Sequence, residues 1–408
     1  MEMPYSRRSF IVGVLTCGSV TASATYLLSD PGSDITLRIG SGSDDSGGRK
    51  LLIDQWNAAH PEARATIDEF GSSTTDQRIE LRDAARRHAV DIVNLDVIDV
   101  PAFAEEGLIA PLDTPLPYLS RALETCRWAG RDYAVPFNSD VGVLYRRTPA
   151  GQEPATGTPE LRTFLGGAPP GALLMQLNPS NSASDEAFVV NVLELINSYD
   201  TYLFTPDGMP AQLPPVEAVG RWNTVFTLIR NALEAGRLVA TATEQESTEA
   251  FTKGTAGFLR NWPTEWPELE AARRKQAPGD RLDLLKFPLP GGMLGGQNLA
   301  VVSGGPHQRQ ARALIDFLTS PESQKVLALH GFVPTHVRAY DGATGVTRLV
   351  PHLDVLRDAV EHSVLRPVHP GYRAFSAVIR KYAYEALFSP ARPQVGLDFI
   401  DAMTRALS

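Results

Sequence analysis

Asp44, Asp45, Asp96 and Asp99 form two close-set carboxylate pairs, and such pairs raise the question of general acid–base chemistry. A glycosidase needs two carboxyl groups on opposite sides of a bond, roughly 5–9.5 Å apart, and neighbouring residues do not specify that geometry. Gly40-Ser-Gly42 follows a strand-like run as a dinucleotide loop would. However, Asp45 stands where a third glycine belongs, and two acids would repel a pyrophosphate. There is no Gly-x-Ser-x-Gly elbow, no His-Glu-x-x-His pair and no phosphate-binding loop. The 8 histidines lie far apart and the 2 cysteines cannot build a thiolate cage, so neither metal nor cofactor is expected. Nothing in the chain requires an enzyme. The remaining polar and aromatic groups of interest, Asn138, Ser139, Asn178, Asn181, Glu186, Trp262, Gln297, Asn298 and Arg373, stand near the ends of elements.

Those elements alternate. Ile35–Ile39 reads as a strand, and the Gly- and Ser-rich run to Gly48 leads into a helix with Leu52, Ile53, Trp56 and Ala59 on one face. His60-Pro61 ends it. Ala65–Phe70 and Asp91–Leu95 read as strands around a helix carrying Leu81, Ala84, Ala85 and His88. Strands alternating with helices predict an α/β fold with a mainly parallel sheet, whose ligand loops lie at the strands' carboxyl ends. Further helices are expected over 184–199 and 216–236, the latter with Trp222 in the core, and near the C-terminus. One late helix face is Phe375, Val378, Ile379, Tyr382 and Leu387, and another is Leu397, Ile400, Thr404 and Leu407. Leu299–Val302 reads as a strand entered through Gly295, Gly296, Gln297 and Asn298. Ala311, Leu314, Ile315 and Leu318 mark the next helix, and Ser320 caps the one after it, with Pro321 at its first position and Gly331 at its end.

A chain of 408 residues exceeds what one core usually organises, so two domains are expected. The net charge of −9 argues against nucleic acid as a partner, because phosphates require a basic face. Residues 1–28 read as an export segment: Ser6-Arg-Arg-Ser-Phe-Ile11 fits a twin-arginine signal, and the stretch to Leu28 is only modestly apolar. Two processing routes are open. Cleavage after Ala22-Ser-Ala24 is one; the other uses Val14-Leu-Thr-Cys17 as a lipobox, with Cys17 the candidate lipidation site and Thr16 off-pattern. Either leaves Cys126 as the sole thiol and allows contact with a membrane only through an N-terminal anchor.

Five phrases, taken in order, resemble the extracellular solute-binding proteins of bacterial ABC sugar importers, in the maltose- and trehalose-binding group. They are Asp91-Ile-Val-Asn-Leu-Asp96 running into Phe103-Ala-Glu-Glu-Gly-Leu108, then Tyr133–Tyr145, then Phe251–Pro263 with Asn261-Trp262-Pro263, then Met293–Pro334, then Arg366-Pro-Val-His-Pro370. The resemblance implies a two-lobed periplasmic-binding-protein-like fold. Lobe one would hold 33–143 and 296–335, lobe two 144–295 and 336–408. The hinge would lie where the chain crosses, near Asp140–Tyr145 and Pro290–Gln297. It also implies an exported monomer that delivers a small saccharide to a membrane permease, at the cell surface or in the periplasm.

Sugar hydroxyls need planar donors and acceptors, and the sugar's C–H face needs an aromatic plate. The candidates are Asp44, Asp45, Asp96, Asp99, Asn138, Ser139, Asn181, Gln297, Asn298 and Arg373 for the first task and Trp262 for the second. Gly296 would let the backbone approach closely. Relatives often carry tryptophan where Asp99 and Gln297 stand here, which favours a smaller or more polar ligand than a long oligosaccharide. Two other readings stay open on the residues alone. A cationic solute such as a polyamine could use the acids Asp44, Asp45, Asp96, Asp99 and Glu265, and a secreted carbohydrate-active enzyme would need carboxylates that the sequence does not declare.

Overall fold

The computed structural model describes residues 35–44, 46–71, 74–114, 117–153, 157, 159–166, 172–178, 185–287, 291–341, 346–350 and 352–408. The export segment, Cys17, Asp45 and Asn181 lie outside the described residues. The strands are β1 Ile35–Ser41, β2 Ala63–Glu69, β3 Ile92–Asp96, β4 Arg127–Trp128, β5 Arg131–Asp132, β6 Val135–Val141, β7 Val143–Thr148, β8 Leu173–Gln176, β9 Leu238–Thr241, β10 Phe258–Asn261, β11 Arg281–Lys286, β12 Leu294–Val301 and β13 Val333–Pro334. They form a six-stranded sheet, β13-β6-β12-β3-β1-β2, a five-stranded sheet, β11-β7-β10-β8-β9, and a small β4-β5 hairpin. The chain divides into two compact units. Unit 1 runs through Asp140 and resumes over Gly295–Arg357; unit 2 comprises Val141–Leu294 and Asp358–Ser408. Residues 336–357, expected with the second lobe, cluster with unit 1.

In unit 1, β1 pairs in parallel with β2 and β3, while β12 runs antiparallel to β3 and β13 antiparallel to β6. The sheet is therefore mixed rather than mainly parallel. Only β1, β2 and β3 are linked by the helical crossovers that enforce parallel order. Alternation along the strands sends Leu37, Ile39, Ile92, Leu299 and Val301 to one face, where they meet Leu52, Ile53 and Trp56 and the helices Gln308–Leu318 and Pro321–Leu329. Val93, Leu95, Ala300 and Val302 face the other way, against Leu81, Ala84, Ala85 and Phe103. The apolar stripe 52, 53, 56 thus builds the helix Gly48–Ala59, which ends as expected at His60, whose amide donates to the Trp56 carbonyl.

Unit 2 pairs β8 in parallel with β9 and β10, with β7 and β11 antiparallel at one side. The helices Asp185–Tyr199, Pro215–Glu234, Tyr372–Phe388 and Leu397–Ala406 pack on one another. Trp222 is a core residue as expected, with Phe204, Phe226 and Phe399 ring centroids 5.7, 5.6 and 5.0 Å away. The last helix buries Phe399 and Met403 instead of the expected face, and Leu397 is exposed. Its single apolar ridge is one i,i+4 pair, too short for periodicity to choose between neighbouring faces.

Candidate functional site

Each unit gathers polar groups at the carboxyl ends of its parallel strands, where α/β sheets present their ligand loops. In unit 1 the face that carries Ile39, Ile92 and Leu299 turns polar at its end. Ser41 closes β1, Asn94 and Asp96 close β3, and Gln297 stands opposite Asp96 in the β3–β12 register. Arg49, 5% exposed, enters this group from the first turn of the helix Gly48–Ala59. Its Nη1 donates to Ser41 Oγ at 3.0 Å and its Nη2 to Gln297 Oε1. Asn94 Nδ2 donates to Ser41 Oγ at 2.9 Å and to Gln297 Oε1 at 3.1 Å. The Arg49 guanidinium also lies 5.4 Å from the Phe332 ring centroid and 6.0 Å from that of Phe137. Burial pushes its pKa down, partly opposed by the carboxylates of Asp44 and Glu69.

The acids singled out from the sequence are largely occupied here. Asp44 Oδ1 accepts from the Ser46 amide and hydroxyl, and Oδ2 accepts from the Arg49 amide at 2.9 Å, so this carboxylate shapes the loop before the helix. Asp99 stands at the cap position of the helix Val100–Glu105 but makes no capping bond; it is buried against Arg78 Nε at 3.1 Å. Asp96 is half-buried at the end of β3, and its Oδ1 accepts from the Ile98 amide at 3.2 Å.

Two stretches read from the sequence as flanking strands lie within them. Gly296, Gln297 and Asn298 lie within β12, and Asn138 and Ser139 lie within β6. Ladder pairing with β3 and β13 carries these low-propensity residues into strand. Strand alternation then separates the two amides. Gln297 joins Asp96 and Asn94, whereas Asn298 points to the opposite face and donates to Thr125 Oγ1 at 3.0 Å. Gly296, at φ 114°, lies so close to β6 that an added Cβ would sit 2.3 Å from the Asn138 carbonyl oxygen. Asn138 Oδ1 and Ser139 Oγ are buried without a hydrogen-bond partner among the described residues, which is unusual in a folded protein.

In unit 2, Trp262 follows β10 in a loop and is half-buried. Its ring lies over the Arg260 guanidinium, 4.1 Å from centroid to Cζ, its Nε1 donates to Glu244 Oε1 at 3.2 Å, and Tyr145 Oη donates to its carbonyl at 2.8 Å. Around it are Asn261, whose Nδ2 donates to Thr248 Oγ1, and Glu265, whose Oε2 accepts from the same hydroxyl at 2.7 Å. Burial raises the Glu265 pKa, with Glu268 and Glu244 adding to the rise and the Thr248 bond opposing it. Beneath, Arg260 and Glu194 form a two-pronged ion pair (2.6 and 2.8 Å), both side chains 0% exposed. Glu194 Oε1 also accepts from the Met293 amide at 2.8 Å.

Arg373 stands in the first turn of the helix Tyr372–Phe388. Its Nη1 stands 3.9 Å from Glu186 Oε2, and Glu186 also accepts from Arg366, Tyr372 and Ser376, which ties the opening of the helix Asp185–Tyr199 to the late helix. Glu186 therefore has specific partners beyond a helix dipole. Sequence reasoning missed Arg49, Glu194 and Glu244. Arg49 could have been found as a charge on the apolar stripe 49, 52, 53, 56. Glu194 could have been found as the single acid within Val189–Ile196, where burial demands a partner. Among the described residues no cluster of His, Cys, Asp and Glu suits a metal ion.

Comparison with known proteins identifies the class to which this α/β fold belongs. The chain belongs to the bacterial extracellular solute-binding proteins, whose family model matches residues 52–347; membership places it outside the cytoplasm. A Deinococcus radiodurans protein named a probable ABC transporter-binding protein is 26% identical over 294 residues, 67% of this chain and 68% of that one. Among solved structures, the GacH receptor of Streptomyces glaucescens, known with acarbose, aligns at a TM-score of 0.70 with 19% identity, covering 91% of this chain and 98% of that one. Maltose-bound MalE3 of T. maritima aligns at 0.69 with 22% identity and the same coverage. The cyclic α-maltosyl-1,6-maltose binding protein of Arthrobacter globiformis gives 0.68, with 17% identity over 92% of this chain and 98% of that one. These likenesses establish the two-lobed fold.

Proposed function

We propose that this chain is the extracytoplasmic receptor of an ABC importer, that it binds a small saccharide without chemical turnover, and that it hands the sugar to membrane permease subunits. The observation that carries the saccharide reading is Trp262, a half-buried ring backed on Arg260 and hydrogen-bonded to Glu244, beside Glu265. A rigid aromatic face flanked by carboxylates meets both demands of a pyranose, a plate for its C–H face and acceptors for its hydroxyls. Asp96, Asn138, Ser139 and Gln297 supply the corresponding groups in unit 1. The maltose- and acarbose-bound relatives support the same class of ligand. The cationic-solute alternative loses force because Asp44 and Asp99 are already engaged and Arg49 adds a buried positive charge to the same group.

The reading includes closure of the two units on the ligand about the crossings near 140–145 and 290–297, as hinged binding proteins do, and action as a monomer, tethered at most by its N-terminus. Titration calorimetry with maltose and trehalose, beside native mass spectrometry of ligand retained through purification, tests it. Stoichiometric binding without product is expected, together with a smaller radius of gyration by X-ray scattering. Released product would make the chain an enzyme. Retention of a polyamine, with affinity falling steeply with salt, would favour the cationic reading.

A further inference from the structure

We propose that Arg49 is a positioning residue that locks the Gln297 amide so that its Nε2 hydrogens face the solute, which must therefore bring an acceptor oxygen to this point. The inference rests on the solute-binding reading above and specifies what unit 1 selects. Arginine has five donors and no acceptor, so the Gln297 atom that meets Arg49 Nη2 must be its oxygen. Asn94 Nδ2 donates to the same oxygen at 3.1 Å. The reversed amide would set NH2 against a guanidinium and a second NH2, leaving buried donors unmatched. Gln297 thus has one orientation. Its Oε1 is consumed inside the cluster, while Nε2 has no partner among the described residues and is not among the buried unpaired atoms.

Arg49 is in turn fixed from several sides. Its Nη1 donates to Ser41 Oγ and its amide to Asp44 Oδ2, and the Phe332 and Phe137 rings stand within cation–π range. The carboxylates that act on it are those of Asp44 and Glu69, and Asp44 is shared with the Ser46 amide and hydroxyl. A buried positive charge behind a donor amide favours ligand oxygens with lone pairs, such as a ring, glycosidic or hydroxyl oxygen, and opposes ammonium groups. This makes position 297 a donor site in a chain whose acids had suggested acceptors.

The test uses Gln297→Glu, with maltose as the probe. The new carboxylate keeps an oxygen for Arg49 but turns a presented donor into an acceptor. Without ligand at pH 7, Gln297→Glu should melt at or above the wild-type temperature, because a charge partner is gained; in an Arg49→Met background the same change should lower melting. Maltose affinity should fall at least tenfold in Gln297→Glu, fall in Arg49→Met and recover partly in Arg49→Lys. An equal melting shift in both backgrounds would overturn the lock, and wild-type maltose affinity in Gln297→Glu would overturn the presented donor. If the wild type does not bind maltose, the saccharide reading fails for that sugar, while the melting cycle still upholds or overturns the lock.

Discussion

Replacing Arg260 by Met removes the cation from a pair that has no access to solvent. Glu194 would retain one charge-assisted bond, from the Met293 amide, in place of three. Breaking a buried pair from one side costs about 3–5 kcal/mol, because the remaining charge is left uncompensated. For a unit of about 200 residues, where 1 kcal/mol moves melting by roughly 2–4 °C, the midpoint should fall by roughly 6–20 °C. Glu194→Leu alone should cost a similar amount. In the double variant no charge is buried; the main loss is the acceptor of the Met293 amide, worth about 1–3 kcal/mol. The double variant should therefore be more stable than either single one. Calorimetric melting of all four proteins without ligand measures the cycle. Trp262 fluorescence should change in both Arg260→Met proteins, since the ring loses the guanidinium beneath it. Additive losses, with the double variant the least stable, would refute the description of Glu194 and Arg260 as one electrostatic unit.

Other consequences are equally direct. His352 is held neutral by burial, its pKa lowered from 6.5 to about 4. A depressed histidine contributes stability that is present above pH 6.5 and lost as pH falls towards 4, at most about 3 kcal/mol here; His352→Gln should melt with a shallower pH dependence across that window. The raised Glu265 pKa has the opposite sign, with stability present at low pH and lost as pH rises through the raised value. Glu265→Gln should therefore melt above the wild type at pH 7 and level with it near pH 3. The buried Cys126 thiol, its pKa pushed far up by desolvation, should react with Ellman's reagent in a Cys17→Ala protein only after unfolding. Gly296→Ala forces a left-handed backbone angle and a 2.3 Å approach to the Asn138 carbonyl, so urea unfolding should show a loss of at least about 1–3 kcal/mol.

The periodic parts of the fold were legible because burial enforces them. Leu52, Ile53 and Trp56, or Ala311, Leu314, Ile315 and Leu318, can be buried together only on a helix face, and they are. The strand carrying Gly295–Asn298 was not legible as strand. Its propensities are poor, and what holds it is long-range pairing between residues 92–96 and 297–301, which no local window contains. The same cause hid the opposite facing of Gln297 and Asn298, since only a strand separates adjacent side chains so cleanly. Trp262 was legible as a loop ring because Asn-Trp-Pro follows a short apolar strand. Its support from Arg260 and Glu194 was not, because the partners lie 66 residues apart.

The placement of the acids changes what the sequence suggested about recognition. Carboxylates near Gly- and Ser-rich loops look like ligand acceptors, yet Asp44 holds the amides of Ser46 and Arg49, and Asp99 holds Arg78. Asp44 shapes the loop before its helix, the common fate of a short acid beside unpaired backbone donors, whereas Asp99 pairs with a side chain. In unit 1 the polar group around β1, β3 and β12 is instead built mainly from an arginine, two amides and a hydroxyl, with the Asp96 carboxylate beside them at the end of β3. In unit 2 the carboxylates of Glu244 and Glu265 stand beside Trp262. On the saccharide reading, the unit 1 group calls for acceptor oxygens on a solute, and the unit 2 group for hydroxyl donors and a C–H face. A polyhydroxylated ring offers each of these features, and a polyamine has no acceptor oxygen for the proposed donor at Gln297.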